Sequence, residues 1–292
     1  MYRNSPRSIA EGSTFEQRTF DTDRGRASRQ PTITVIVPAK NEADNLRAVL
    51  PTLPPVHEVI LVDGDSTDGT VEVARQVMPE IKIVKQTRKG KGNALACGFK
   101  AATGDIIVMF DADGSADARE IPAYVDALIN GADFAKGSRF IDGGGSDDIT
   151  LLRHVGATGL HMLVNLTFGQ RFSDLCYGYN AFWTELVPEL DLPDIDAPVP
   201  AGGMIWGDGF EIETVINLRM VGAGVQIREV PSVERPRIHG ESNLRTFKDG
   251  FRVLRTILSE RQRARTIGRG GAAVQTPESA PAQQVSRPSM SA

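Results

Sequence analysis

Short apolar runs alternate with amphipathic stretches through the first half of the chain. Thr32–Val37, Glu58–Val62, Ile81–Val84 and Asp105–Phe110 are brief segments rich in Val and Ile, with the length and composition of strands. Between them, Asn41–Leu50, Thr70–Val77, Asn93–Ala102 and about Ala118–Asn130 carry a helical spacing of apolar residues. Ile106–Phe110 is apolar at every position, as a strand covered on both faces requires. Strands and helices joined by such short loops predict an α/β protein with a Rossmann-like, mainly parallel central sheet and helices on both faces. The second half is less regular. It predicts a strand at Asp133–Lys136, a Gly- and Asp-rich loop at Asp142–Asp148, and helices at Leu151–Phe168 and Gly209–Val221. A strand at Val225–Val230 follows, then a last helix over Phe247–Arg263 with Phe247, Phe251, Leu254 and Leu258 on one face, expected to pack on its own domain.

Composition fits one globular domain: 40% of the 292 residues are hydrophobic and 24% charged. Residues 1–30 and 266–292 are poor in large apolar side chains and are expected to be disordered arms around a single domain at 31–265. A net charge of -4 argues against nucleic acid as a partner. Cys97 and Cys176 lie in apolar or aromatic surroundings and are expected to be reduced thiols, while the histidines lack zinc-ligand spacing. The longest apolar stretch, Ile149–Phe168, is interrupted by Arg153, His154, Gly156, Gly159 and His161, and no signal-peptide core opens the chain. A cytoplasmic protein is therefore expected. Lys248, Arg252, Arg255, Arg261 and Arg263 on the last helix leave peripheral contact with an anionic cytoplasmic membrane face open.

The candidate chemistry gathers at strand ends. Asp111-Ala112-Asp113 follows the fourth strand, where open α/β sheets bind ligands. Carboxylates one residue apart on extended chain point the same way and suit one hard cation, Mg²⁺ or Mn²⁺, completed by substrate phosphates and water. An acidic turn is the plainer reading. Pro38-Ala39-Lys40-Asn41-Glu42 after the first strand offers either a helix N-terminus to an anion or simple capping. Val62–Thr70 holds Asp63, Asp65 and Asp68; capping explains one or two, and Asp63 is placed to accept from a base or ribose. In Lys89-Gly90-Lys91-Gly92-Asn93, Gly92 permits close backbone approach and Lys91 reaches for phosphate, although the spacing is not that of a P-loop.

With these residues placed, the chain resembles family 2 glycosyltransferases of the GT-A fold over about residues 32–258. Asp111-Ala112-Asp113 is similar to their DxD motif, and VIVPAKNE and VDGDSTDGT to their two nucleotide-binding strand ends. Within the family it most resembles the polyprenyl-phosphate (dolichyl-phosphate) mannose and glucose synthases. That likeness rests on Gly137-Ser138-Arg139, on Ser173-Asp174 with Gly178-Tyr179, and on Glu229-Val230-Pro231 through Arg237 to Gly240-Glu241-Ser242-Asn243-Leu244.

The resemblance implies a metal on Asp111 and Asp113. It implies a nucleotide-sugar site at Pro38, Ala39, Asn41, Glu42, Asp63, Asp65, Lys91, Gly92, Asp111, Ala112, Arg139 and Arg237. Arg153, Arg237 and Ser242 would meet an acceptor phosphate, and Asp113, Arg139 and Asp174 would be catalytic. The implied reaction moves a hexose, with inversion, from a GDP-mannose or UDP-glucose type of donor to a polyprenyl phosphate. Ser115 stands where mannose synthases often have Gln, and the Gly-Lys-Gly loop is more like the glucose synthases, so the sugar and nucleotide stay open. A hydroxyl acceptor would need a base, for which Asp174 is the first candidate. Glu211 and Glu213 either join the site or cap their own helix. Arg235 and Arg237 sit in a loop suited to close over donor phosphates, or lie in solvent. A soluble acceptor such as a specialised metabolite or phosphoglycerate, and a non-catalytic sugar-nucleotide binding module, are the alternatives.

Overall fold

The computed structural model of the protein describes residues 30–147, 151–169, 172–199, 203–240 and 246–271, with backbone alone at 151–157, 246–249 and 265–271. Both predicted terminal arms fall largely outside these residues. In chain order the elements are β1 (Ile33–Ala39), α1 (Ala43–Val49), β2 (Glu58–Asp63), α2 (Thr70–Val77), β3 (Lys82–Lys85), α3 (Lys91–Ala101), β4 (Ile106–Met109) and α4 (Ile121–Ile129). Then come β5 (Phe134–Ser138), β6 (Gly145–Ser146), α5 (Leu151–Phe168), β7 (Asn180–Trp183), α6 (Ile212–Ala223), β8 (Ile227–Pro231), β9 (Val233–Glu234) and α7 (Thr246–Gly271).

The main sheet runs β3-β2-β1-β4-β7-β5-β8, and β6 pairs with β9 in a separate ribbon. Every strand of the main sheet is parallel to its partner except β7, which is antiparallel to both β4 and β5. From β1 the chain steps outward to β2 and β3, then returns past β1 to β4. Right-handed crossovers therefore place α1 and α2 on one face and α3 on the other. α3 lies close on the sheet because Gly98 has no side chain: a Cβ there would come 2.5 Å from Ile36 Cγ2. Adjacent strands β1 and β4 thus send their chains in opposite senses, opening a crevice at their carboxyl ends. Asp111 and Asp113 stand at this switch point.

Val35, Ile36, Val37, Ile60, Leu61, Val62, Ile106, Ile107 and Val108 form a fully buried spine through the parallel strands. A second, smaller core joins Val164 of α5, Phe172, Leu175, Leu218 of α6 and Ile257 of α7.

The predicted strands and helices are all present, with edges that differ by up to about three residues, except that the last helix runs eight residues past Arg263 to Gly271, into the segment expected to be a disordered arm. Strand β7 of the main sheet was missed by sequence patterning, as were the two-residue strands β6 and β9: Asn-Ala-Phe-Trp is too short to show a period and follows a Tyr-Gly-Tyr segment that reads as loop. The last helix also departs from expectation. Its inward face is Val253, Thr256, Ile257 and Glu260, whereas Phe251 and Leu258 are 70% and 54% exposed. The helix is turned this way by a buried pair. Glu260 takes Arg219 Nε and Nη2, both at 3.0 Å, while Arg219 Nη1 donates to the carbonyls of Leu190 and Asp191. An acid at a core position carries no apolar period, so the pattern missed Glu260 and placed Phe251 and Leu258 inward; Leu254 is half-buried, and the Phe247 side chain lies outside the described residues.

Candidate active site

The loops after β1 and β2 are stitched into one rim. Asn41 takes a left-handed backbone (φ 57°), its N–H donates to Ser66 Oγ, and its Oδ1 accepts from Thr67 N. Glu42 N donates to Thr70 Oγ1 and Ala43 N to Asp68 Oδ2, so the α1 N-terminus is capped from the neighbouring loop. Pro38 and Ala39 close β1 beside Val62 and Asp63 of β2. Asp63 is buried, and its carboxylate accepts from Asp65 N at 3.2 Å and Ser66 N at 3.3 Å. It therefore also makes the Asx-type turn that the sequence did not require of it. Asp65 points outward to Lys85 at 3.0 Å, on the exposed side of the loop.

Each carboxylate of the Asp-Ala-Asp motif meets a cation of the chain. Lys91 Nζ lies 2.7 Å from Asp111 Oδ1 and 2.6 Å from Glu213 Oε1. Arg237 Nη1 approaches Asp113 Oδ2 at 3.5 Å, and its Nη2 is paired with Glu42. Asp113 Oδ1 accepts from Ser115 N at 3.0 Å and Ser115 Oγ at 2.7 Å. Ala112 is buried between the two acids. The segment carrying Arg237 is fastened to the strand end by its backbone: Arg235 N donates to Ser115 O and Ile238 N to Asp113 O. Ile238 also occupies the space over Gly114, where a Cβ would lie 2.4 Å from its Cδ1. Asn45 of α1 completes the fastening by bonding both N and O of His239. Four acids and two bases thus face one crevice. The donor set is hard oxygen with 35% and 25% of the Asp111 and Asp113 side chains exposed, which fits a Mg²⁺ or Mn²⁺ ion.

The Gly-Lys-Gly loop is shaped by protein. Gly92 N and Asn93 N donate to Asp208 O, and Cβ atoms at Gly90 and Gly92 would fall 2.1 Å from Asp208 O and 1.8 Å from Gly207 O. Arg88 locks the contact, giving Asp208 a buried bidentate pair at 2.7 and 2.9 Å. Gly92 is thus filled by the 207–208 backbone, and Lys91 alone of this loop is shown reaching the acids. Gly92→Ala is expected to destabilise the fold by about 3 kcal/mol, the upper range for overpacking against an unyielding neighbour. The midpoint of urea unfolding measures it.

Arg139 and Asp174 form a saturated pair. Arg139 Nε and Nη2 reach Asp174 at 2.6 and 2.9 Å, Nη1 reaches Glu234 at 2.9 Å, and the guanidinium lies over the Tyr177 ring. Asp174 is fully buried. Burial would raise its pKa, but the Arg139 hydrogen bonds and charge outweigh it and hold the carboxyl below its usual value. That geometry does not suit Asp174 as a base: it is ionised, yet every approach is filled, and it orients Arg139 instead. Arg139 is in turn committed to two carboxylates. Beneath them Lys136 is fully buried, donating to the carbonyls of Gly137 and Tyr177, and burial lowers its pKa. Ser173 N donates to Glu229 Oε1 and Ser173 Oγ pairs with Ser138 Oγ, so the three motifs Gly-Ser-Arg, Ser-Asp and Glu-Val-Pro interlock.

The two glutamates of the 207–213 segment divide. Glu211 Oε1 accepts from Gly207 N and Gly209 N, capping its own turn, while Glu213 joins Lys91. Glu234 and Tyr177 were missed by sequence reasoning, since β9 and the loop before β7 have no periodic signal; Lys136 was missed because a lysine ending a short predicted strand reads as a solvent-facing charge. Arg153 lies on α5 with its side chain outside the described residues, and Ser242 is outside them altogether. Both cysteines are free, and burial pushes the Cys176 thiol up to about 12.

The family model for Glycosyl transferase family 2 matches residues 34–190. A dolichol-phosphate mannosyltransferase from Pyrococcus furiosus is 30% identical over 235 residues, covering 77% of this chain, and the chain spans 62% of that protein's length. Glycosyltransferase AglJ from Haloferax volcanii is 29% identical over 222 residues, covering 75% of this chain and 68% of its own. Among solved structures, glucosyl-3-phosphoglycerate synthase from Mycobacterium tuberculosis, in complex with Mn²⁺, UDP and glucosyl-3-phosphoglycerate, shares the fold. Its TM-score is 0.59 at 24% identity, over 79% of this chain and 80% of the other.

Proposed function

The chain belongs to glycosyl transferase family 2, and from that premise we propose that it moves a hexose from a nucleoside-diphosphate sugar to a polyprenyl phosphate, inverting the anomeric carbon. The observation that carries the acceptor assignment is the locked Asp174. Paired with Arg139 and fully buried, it is not available to take a proton from a hydroxyl. A phosphate monoester is already anionic and attacks without a base. The mannosyltransferase relative supports the same acceptor class.

In this reading the nucleoside lies over the β1 and β2 ends, with Asp63 at its polar edge and the diphosphate at the switch point. Asp111 and Asp113 would hold Mg²⁺ or Mn²⁺, which neutralises charge on a departing diphosphate. Lys91 and Arg237 add positive charge at the same place. A phosphate oxygen forms the new bond to the anomeric carbon from the face opposite the breaking bond, and the electron pair of that bond leaves on the nucleoside diphosphate. Arg139 keeps the Ser173-Asp174 and β9 segments in register beneath the acceptor side.

A lipid acceptor requires approach to a bilayer. Among the described residues no helix is long and apolar enough to cross one. Phe251 and Leu258 of α7 are exposed, as is Phe210, and Arg252 and Arg255 lie over the Phe210 and Trp206 rings. Apolar side chains interleaved with arginine suit the interface of an anionic membrane. The double variant Phe251→Ser, Leu258→Ser is expected to bind anionic vesicles roughly tenfold or more weakly in co-sedimentation, since each side chain contributes about 1.5–3 kcal/mol when buried. Equal partitioning would remove the membrane surface.

The decisive assay mixes the protein with Mn²⁺ or Mg²⁺, a panel of UDP- and GDP-sugars, and either a short polyprenyl phosphate or phosphoglycerate. Product on the lipid phosphate is expected. Product on phosphoglycerate alone would favour the second reading, to which the solved synthase structures lend their fold.

A further inference from the structure

We propose that Lys91, held by Glu213, is a built-in counter-cation of Asp111 that makes the divalent metal bind together with the donor's diphosphate and only weakly to the protein by itself. The inference rests on the donor-site reading above and concerns how that site loads.

The geometry is specific. The Lys91 ammonium touches both oxygens of Asp111, at 2.7 and 2.8 Å, and Glu213 Oε1 at 2.6 Å. Its side chain is only 13% exposed, so the three groups meet largely out of water. Two carboxylates at ion-pairing distance supply the opposite charge that a lysine in so enclosed a place needs. Its backbone is fixed as well, because Lys91 opens α3 between two glycines seated on the carbonyls of Gly207 and Asp208. Gly178 walls the other side: a Cβ there would lie 2.5 Å from Glu213 Oε1 and 3.3 Å from Lys91 Nζ.

A dication reaching Asp111 by itself meets an ammonium already occupying both carboxylate oxygens, and like charges at such distances repel strongly in a partly buried site. A diphosphate changes the balance. Its oxygens can take the ammonium as a hydrogen-bond partner and share the metal with Asp111 and Asp113 at the same time. Glu213 keeps the lysine within reach during that exchange and so acts as a positioning residue. Arg237 repeats the arrangement at Asp113 more loosely, at 3.5 Å.

The test measures Mn²⁺ binding by electron paramagnetic resonance, with protein alone and with saturating UDP or GDP, together with thermal unfolding of each variant. For the wild type, metal affinity should rise at least tenfold with nucleotide. Lys91→Met should tighten binding to the protein alone about tenfold while weakening the nucleotide-bound complex. Glu213→Gln should shift both in the same directions by a smaller factor. Gly178→Ala, which moves the flexible end of Glu213, should reproduce the Glu213→Gln pattern and guards against a lysine variant that fails to fold. Unchanged metal affinity of the protein alone in folded Lys91→Met, or in both other variants, would overturn the counter-cation. Wild-type protein that holds no Mn²⁺ even with nucleotide would instead overturn the donor-site reading beneath it.

Discussion

Arg139→Met should destabilise the protein by roughly 3–5 kcal/mol, the usual cost of removing one partner from a buried ion pair. The arginine is only 11% exposed and serves two carboxylates, of which Asp174 has no exposure at all. Without it Asp174 is an uncompensated charge next to Cys176 and Leu175. The pH dependence should change sign at this group, and that separates the pair from simple loss of packing. In the wild type the Asp174 pKa lies below its unfolded value, so its contribution is complete above about pH 4 and is lost as pH falls through the lower folded value. In Arg139→Met, burial with no adjoining guanidinium raises the same pKa above the unfolded value. Stability should then increase as pH is lowered from 7 toward 5, where the carboxyl gains its proton. Urea midpoints at pH 5, 6 and 7 give the slope. A variant with the wild-type slope would show that Asp174 finds another cation, for which buried Lys136 is the neighbour.

Asp113→Asn should leave stability nearly unchanged and lower sugar transfer by about 10²–10³-fold, the range for losing one preorganised electrostatic contact to a developing charge. The amide preserves the acceptor for Ser115 N and Oγ, so the turn survives. What disappears is a charge that faces Arg237 and the crevice. The loss should appear in kcat more than in KM if the contact strengthens as the diphosphate departs. An Asp113→Asn variant with wild-type turnover would remove the metal reading of the motif.

The sequence disclosed most of what the first half does, because β1, β2 and β4 are largely apolar runs that break off at Pro38-Ala39, Asp63-Gly64 and Phe110-Asp111. Periodicity located the strand ends, and the strand ends located the crevice. It did not disclose pairings between distant segments. The contact of Lys91 with Glu213 spans 122 positions and that of Arg237 with Glu42 spans 195. Read locally, Glu42, Lys91 and Glu213 are ordinary helix-end charges and Arg237 an ordinary loop arginine. The same limit explains Asp174 and α7. Resemblance marked Asp174 as important without saying that it serves Arg139, and the apolar spacing of α7 could not reveal that Glu260 faces inward to Arg219.

The seating of the Gly-Lys-Gly turn on Gly207 and Asp208 bears on attempts to change the sugar donor by exchanging loops with relatives. Segments 88–93 and 205–209 are separate in the chain yet moulded to one another at atomic contact, with Arg88 bolting them together. A transplant of the first without the second would bring a foreign backbone against carbonyls shaped for this one. The unit of exchange is therefore the pair, and a chimera that carries both segments should express and fold where single-loop chimeras do not.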